Sequence, residues 1–371
     1  MNLNIKFAPG KADFFATLNQ RVNSYFKSNK IERTANQEMV VKTIFMFSLY
    51  FIPYFILITG PLINLWVMFG LCLVMGLGKA GIGLSVMHDA NHGSYSIKPW
   101  VNNLLGVSLN MIGGHALNWK VQHNVLHHTY TNVHDVDEDI SPRGVLRMAP
   151  GSPWKPMHRF QHFYAWFFYG LLTLVWVFVK DFTRLIKYHK EGLLKKQKTS
   201  ATNEWIAVII SKLVYFTYIF VVPLILIPAI TWWQVFIGFL AMHYVAGFIL
   251  AIIFQPAHVI DGTEYPMPDD NGNLENNWAI HQMHTTTNFG HKNKLLSWYV
   301  GGLNYQVEHH LFPNVCHVHY RKLAPIVEQT AKEFGMPYKS VDTFTDALVA
   351  HAKVMKELGA KPEFTPSVSL A

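Results

Sequence analysis

Residues Thr43 to Gly78 read TIFMFSLYFIPYFILITGPLINLWVMFGLCLVMGLG, a run without one Asp, Glu, Lys or Arg. A helix needs roughly 20 predominantly apolar residues to cross the hydrocarbon layer. The run therefore holds two spans, with Gly60-Pro61 as the turn between them. A second charge-free run, Leu213 to Ile260, has Pro223 and Pro228 near its middle and the Trp232-Trp233 pair just beyond. It reads as a second hairpin, Trp205 to Ile227 and Trp232 to Phe254, with the tryptophans as interfacial anchors. The composition agrees: 50% of the 371 residues are hydrophobic, 15% are charged and 20 are histidine, a balance foreign to a soluble domain of this size.

The histidines cluster where the apolar runs end. His88-Asp-Ala-Asn-His92 follows the first hairpin, His123-Asn-Val-Leu-His127-His128 lies further on, and Gln306-Val-Glu-His309-His310 comes after the second hairpin. Helical residues four apart share a face, so His88 with His92, and His123 with His127, can each aim two imidazoles at one point. Gln306, His309 and His310 can project from one turn. A single such pair is as readily a hydrogen-bonded structural histidine. Three clusters at the ends of spans point to metal.

Gathering all three at one site fixes the topology. Phe163 to Val179 is uncharged and at the lower length limit for a span. If it crossed, the first two clusters and the third would face opposite sides. Its aromatics, among them Phe163, Tyr164, Trp166 and Trp176, suit a helix at headgroup level. Four spans are therefore expected, at about 43–60, 62–87, 205–227 and 232–254. Lys27, Lys30, Arg33 and Lys42 precede the first hairpin, and Arg184, Lys187, Lys190, Lys195, Lys196 and Lys198 precede the second. The positive-inside rule then places both termini and every cluster in the cytoplasm. The expected fold is all-α: an integral membrane protein of two transmembrane helical hairpins with a cytosolic helical cap holding the metal site. No secretory signal is expected in the polar residues 1–42. Cys72 and Cys316 are expected to stay apart as thiols. The net charge of +8 suits anionic headgroups or an acidic electron carrier, and no nucleic-acid partner is expected.

Gly76-Leu-Gly78-Lys-Ala-Gly81 has the spacing of a dinucleotide-binding loop, but that loop needs a strand before it and a helix after it. Here it interrupts an apolar helix, where close glycines allow tight helix contact. Nicotinamide binding is not expected.

Imidazole suits iron, copper, zinc or nickel. Zinc hydrolases use three protein ligands and leave one position for water, which would idle most of these histidines, and no His-Glu-x-x-His occurs. Soluble bundled di-iron proteins use Glu-x-x-His pairs and carboxylate bridges, whereas these donors are nearly all neutral nitrogens. Seven box histidines, Gln306 and His258 at the end of the second hairpin are enough for two metal ions. Two redox metals beside a bilayer suggest oxygen chemistry on a hydrocarbon chain.

His-x-x-x-His, His-x-x-x-His-His and Gln-x-x-His-His, in that order and split by a hairpin, resemble the three histidine boxes of membrane fatty-acid desaturases. His127-His-Thr-Tyr-Thr-Asn132, Asp135-Val-Asp-Glu-Asp-Ile140 and Asn304-Tyr-Gln-Val-Glu-His-His-Leu-Phe-Pro313 resemble the front-end branch, which includes delta-6 (linoleoyl-CoA) and delta-5 enzymes. The resemblance covers roughly residues 40–330. It implies two non-haem irons, O2 as co-substrate and a cis double bond inserted into an acyl chain between an existing double bond and the carboxyl end. The substrate would be an acyl-CoA or acyl-lipid held in a narrow tunnel. Carried over residue by residue, His88, His92, His123, His127, His128, His309 and His310 are the iron ligands, His258 takes the place of a histidine that family members use after the last span, and Gln306 stands where other branches begin the third box with histidine. No catalytic residue beyond the ligands is implied. His281, His284 and His134 are read as supporting rather than ligating, and His243 as too far along its span. Asp89, Asp137, Asp139, Asp261 and Glu308 could accept hydrogen bonds from ligand imidazoles. The implied layout is a cytosolic segment 1–42, a membrane desaturase domain 43–330 and a cytosolic segment 331–371.

One departure bears on electron supply: the fused cytochrome b5 domain of many front-end enzymes, with its His-Pro-Gly-Gly motif, is absent from the sequence. Ferredoxin or free cytochrome b5 would serve instead. A hydroxylase with the same boxes stays open, and so, more remotely, does a non-catalytic haem or metal-transport protein.

Overall fold

The computed structural model describes residues 5–9, 13–60, 64–141 and 144–362. Pro61 of the expected first turn, residues 62 and 63 of the second expected span, and the ends of both terminal segments lie outside these.

Among the described residues four helices are long and apolar enough to cross a membrane, or five if the bent pair at 156–190 is one span: Gln37–Thr59, Leu65–His92, Ala201–Leu226 and Trp232–His258, of 23, 28, 26 and 27 residues. Each matches an expected span to within three residues at one end and runs beyond it at the other. The extensions matter, because they carry His88 and His92 on the last turns of the second helix and make His258 the last residue of the fourth. Caps define several starts: the Asn36 side chain accepts from Met39 N–H at 3.1 Å, and Ser200 accepts from Asn203 N–H at 3.1 Å.

The second helix is the central strut, packing on both the first and the fourth. The glycine motif makes this possible. A Cβ on Gly76 would lie 2.8 Å from the Met242 carbonyl oxygen, one on Gly78 would lie 2.5 Å from the Tyr50 nitrogen, and one on Gly81 would overlap Met46. These glycines are helix-packing contacts, as expected, and the helix Leu65–Gly81, not a strand, leads into them.

Phe163–Val179 belongs to a helix pair, Pro156–Gly170 and Leu172–Lys190, bent by 59°. Its first arm packs on the fourth long helix and on the C-terminal helix Phe344–Gly359. The N-terminal helix Asp13–Asn29 lies along Tyr320–Glu333 through Phe14, Leu18, Val22 and Phe26. The described parts of the expected terminal segments are thus docked onto the body they flank. The regular structure of the described residues is helical apart from short strands, which form two parallel pairs: Lys6–Phe7 with Asn273–Leu274, and Asn288–Phe289 with Ser340–Val341. These small pairs are the one departure from an all-α fold.

Candidate metal centre

The box histidines are delivered by three helix ends and one loop-borne helix. The second long helix loosens into a π-helical turn at Ile82–Val86 just before His88, and the second box itself lies in a π-helical stretch, Val121–His127. There the His128 N–H bonds back five residues to the His123 carbonyl at 2.9 Å. The widened turn changes which residues share a face. His123 and His128 also come together, their Nε2 atoms 3.2 Å apart. The expected pairing of His123 with His127 holds: one nitrogen of each lies within 4.8 Å of the other and of Asp139, and their rings stack at 5.2 Å, while His127 joins a further group with His258 and His310.

Two adjoining donor groups result. In the first, one nitrogen from each of His88, His92, His123 and His309 lies within 4.8 Å of the others. His88 Nε2 is 3.2 Å from His123 Nε2, and His309 Nε2 is 2.9 Å from His128 Nε2. The second group is His127, His258 and His310, by the same measure. His128 stands between them, its ring stacked on His310 at 4.3 Å. Adjacent residues His309 and His310 split between the groups because successive helical side chains diverge by about 100°. Gln306, one turn before His310 on Gln306–Leu311, is buried with no hydrogen-bond partner for either amide atom among the described residues.

The second group shows how the donors are aimed. His127 Nδ1 donates to Asp137 at 2.9 Å, His258 Nδ1 to the Thr285 carbonyl at 3.2 Å, and His310 Nδ1 to Gln282 Oε1 at 2.8 Å. Each ring is thereby fixed as the tautomer with a lone pair on Nε2. Those three Nε2 atoms, and that of His92, are buried and accept nothing from the described residues. Buried polar groups are seldom left so; one metal ion at each group would use all four between them. In the first group His309 Nδ1 meets Tyr320 Oη at 3.1 Å, and His88 Nδ1 lies 3.5 Å from Asp89.

Burial, reinforced by the neighbouring imidazoles, holds His123, His128, His309 and His310 far below the ordinary histidine range, so these rings are neutral lone-pair donors at physiological pH. His127 differs. Burial pushes it down as well, but Asp137 and Asp139 outweigh that and hold it above the ordinary value. Burial raises the Asp137 carboxyl, and the charge and hydrogen bond of His127 more than reverse this.

Of the five carboxylates considered, Asp137 behaves as expected, also accepting from the Asn132 and Asp139 N–H groups at 2.9 and 3.0 Å. Asp89 lies beside His88 but makes its closer contact, 2.7 Å, to His317 Nδ1. Asp139 is engaged by the Gln122 amide and lies 3.7 Å from His127. Two expectations fail. Asp261 is exposed, at the turn that follows the fourth helix. Glu308 points away from the imidazoles and accepts from Asn288 Nδ2 and Tyr338 Oη, each at 2.8 Å; burial raises its pKa to about 7 against those bonds. His281, His284 and His134 are used elsewhere, by the Thr131 carbonyl at 2.8 Å, Glu264 at 2.5 Å and Ser152 at 3.1 Å. Sequence reasoning missed Gln282, Tyr320, the Thr285 carbonyl and His317, and no spacing signal marks them. It also missed Trp119, whose ring lies 4.3 Å from His123 and 5.5 Å from His88.

Residues 64–342 match the sequence profile of fatty acid desaturases. The chain is 36% identical, over 94% of its own length and 94% of the relative's, to the sn-1 linoleoyl-lipid 6-desaturase of Arthrospira platensis. It is 35% identical to the sn-1 linoleoyl-lipid 6-desaturase of Synechocystis sp., covering 96% of this chain and 98% of that one. Against the acyl-lipid (8-3)-desaturase of the moss Physcomitrium patens, identity is 38% over 94% of this chain and 72% of the moss protein.

Proposed function

The chain belongs to the fatty acid desaturase family and is an oxidoreductase that desaturates fatty-acyl chains, and from that premise we propose that it inserts a cis double bond into an acyl-lipid on the carboxyl side of an existing double bond. The chemistry would run on two irons, one held by His88, His92, His123 and His309, the other by His127, His258 and His310 with Gln306, and His128 between them. The carrying observation is that eight imidazoles and one amide, drawn from four segments, converge, with the Nε2 atoms of His92, His127, His258 and His310 unpartnered among the described residues. Imidazole is an apt donor for iron, and the Nδ1 acceptors give His127, His258 and His310 the tautomer such binding needs.

Bound there, two irons and O2 would supply the oxidising power to remove one hydrogen from each of two adjacent carbons. The protein's part is positional. Asp137, Gln282, Thr285 and Tyr320 hold the imidazoles, and no side-chain acid or base is required. Trp119 and Phe254 press on His123, His127 and His258 as apolar walls. Two small voids border this region, one beside Trp119 and Gln122 and one beside Gly83 and Ile112, with Leu109 and Trp176 lining both.

The membrane-spanning role of the four long helices places the second and fourth with their histidine-bearing ends on one face. The 59° bend supports leaving Pro156–Lys190 on that same side, and the basic residues flanking the hairpins make it the cytoplasm. Residues 43–330 then form the membrane desaturase domain, with cytosolic 1–42 and 331–371 docked on it. Reporter fusions after residues 40 and 190 and at the C-terminus should all read cytoplasmic; an outward-facing C-terminus would undo the shared site.

The front-end assignment draws support from the 6-desaturase relatives, and the sixth carbon is favoured over the fifth on the same ground. A host expressing the chain and fed linoleate should accumulate a product whose new bond mass spectrometry places between carbon 9 and the carboxyl group. A bond only on the methyl side, or an alcohol in place of an alkene, would refute this reading.

A further inference from the structure

We propose that an acidic one-electron carrier protein docks in the recess beside His92 and delivers its electrons there. The inference rests on the redox reading above. Inserting one double bond balances as one CH2–CH2 unit, O2, two electrons and two protons giving one CH=CH unit and two waters. The substrate supplies two of the four electrons that O2 needs, so two must come from a carrier, one at a time.

Electron transfer slows steeply with distance, so a carrier gains most by approaching the ligand closest to solvent. Of the nine box and box-like residues only His92 is not fully buried. Its Nε2 faces inward, buried and without a partner, while the ring borders a recess of about 600 Å3. The wall is polar and basic: Arg33 and Lys120 reach it, with Asn102, Asn103 and Asn314. Neither cation has an acidic partner within salt-bridge distance among the described residues; Arg33 stacks on Phe26 at 5.4 Å, and Glu32 is the only acid in the lining. Lys98 stands exposed in the adjoining loop beside Ile97, which is 74% exposed. A dish of unpaired cations with a small apolar rim fits the acidic, transient interfaces through which electron carriers work.

The test uses the full-length iron-loaded enzyme in detergent, with reduced plant-type ferredoxin and soluble cytochrome b5 as separate probes. The paired reversal Arg33→Glu with Lys120→Glu should weaken binding of the carrier and slow carrier-driven reduction roughly tenfold, leaving reduction by dithionite with a small viologen unchanged. The milder Arg33→Gln with Lys120→Gln pair should give a smaller loss in the same direction, and in the unaltered enzyme raising ionic strength to about 0.5 M should mimic it. Zero-length cross-linking to carrier carboxylates, mapped by mass spectrometry and independent of iron loading, should fall on Lys120 or Lys98. Reversal of Lys195 and Lys196, on the other basic segment, should change nothing. The proposal is overturned if the recess variants reduce at the normal rate with both carriers, if the Lys195/Lys196 variant slows as much, or if the recess variants raise KM for lipid while carrier kinetics stay normal. Failure of the redox reading would look different, since dithionite would then reduce no iron even in the unaltered enzyme.

Discussion

His243 and His258 lie on the same helix, both fully buried, and their surroundings are opposite. His243 is saturated: Nδ1 meets Thr173 Oγ1 at 2.9 Å, Nε2 meets Tyr215 Oη at 2.6 Å, and Lys79 Nζ approaches Nε2 at 3.0 Å. His258 spends only Nδ1, on the Thr285 carbonyl, and its Nε2 is left facing other imidazoles. One is a closed polar knot that joins the second, third and fourth helices and the bent segment; the other is one donor of the His127, His258 and His310 group. Burial and residue type do not separate the two. A free second nitrogen together with neighbouring imidazoles does, since among the described residues His115, His162 and His291 each keep an unpartnered buried nitrogen with no such neighbours.

The strongest challenge to this distinction is His310→Ala, or equally His92→Ala or His128→Ala. Each should lose at least one iron by elemental analysis and abolish turnover, because no neighbouring side chain can replace the missing nitrogen. A purified His128→Ala enzyme with both irons and full activity would break the comparison. Next in size is Asp137→Asn, which keeps the shape but weakens the acceptor that orients His127; iron affinity or turnover should fall roughly 10- to 100-fold, read by competition with a chelator.

His351 supplies a third case of the saturated kind, bonded to Tyr169 Oη at 2.7 Å and the Val259 carbonyl at 2.6 Å. Burial lowers its pKa to about 4, the Val259 carbonyl offsetting part of the effect. Below the ordinary value of about 6.5 the unfolded chain takes up a proton that the folded chain refuses, so stability should fall as pH drops from about 6.5 to about 4, by up to about 3 kcal/mol, and be flat above. Thermal melts of wild type and His351→Gln across that range check this; the variant's curve should be flatter. The smallest functional effect belongs to His243→Gln. Iron content and turnover should persist, while the broken knot costs about 1–3 kcal/mol, seen as a lower melting temperature. Loss of iron instead would place His243 with the ligands.

Much was legible in the chain itself. Charge-free runs announce helices long enough to cross a bilayer, because unpaired backbone cannot stay in hydrocarbon and charge is costly there. The glycines of Gly76–Gly81 were readable as packing contacts for the same reason: context, not spacing, decides what a glycine motif does. The box histidines could be listed, and His243 set apart, from periodicity and position.

What periodicity could not give was the partition. Counting in steps of four paired His123 with His127, and they do lie together, but a π-helical stretch adds a residue to the turn and brings His128 to His123 as well, and no local residue choice advertises that widening. Nor could the sequence tell that Asp137 holds an imidazole while Glu308, beside two of them, turns toward Asn288 and Tyr338, or that Gln282, Thr285 and Tyr320 complete the support. These are contacts between segments distant along the chain. Charge-free runs with histidines near their ends were enough to list the candidate donors; only the packing of segments distant along the chain decided which of their nitrogens would be left to face one another.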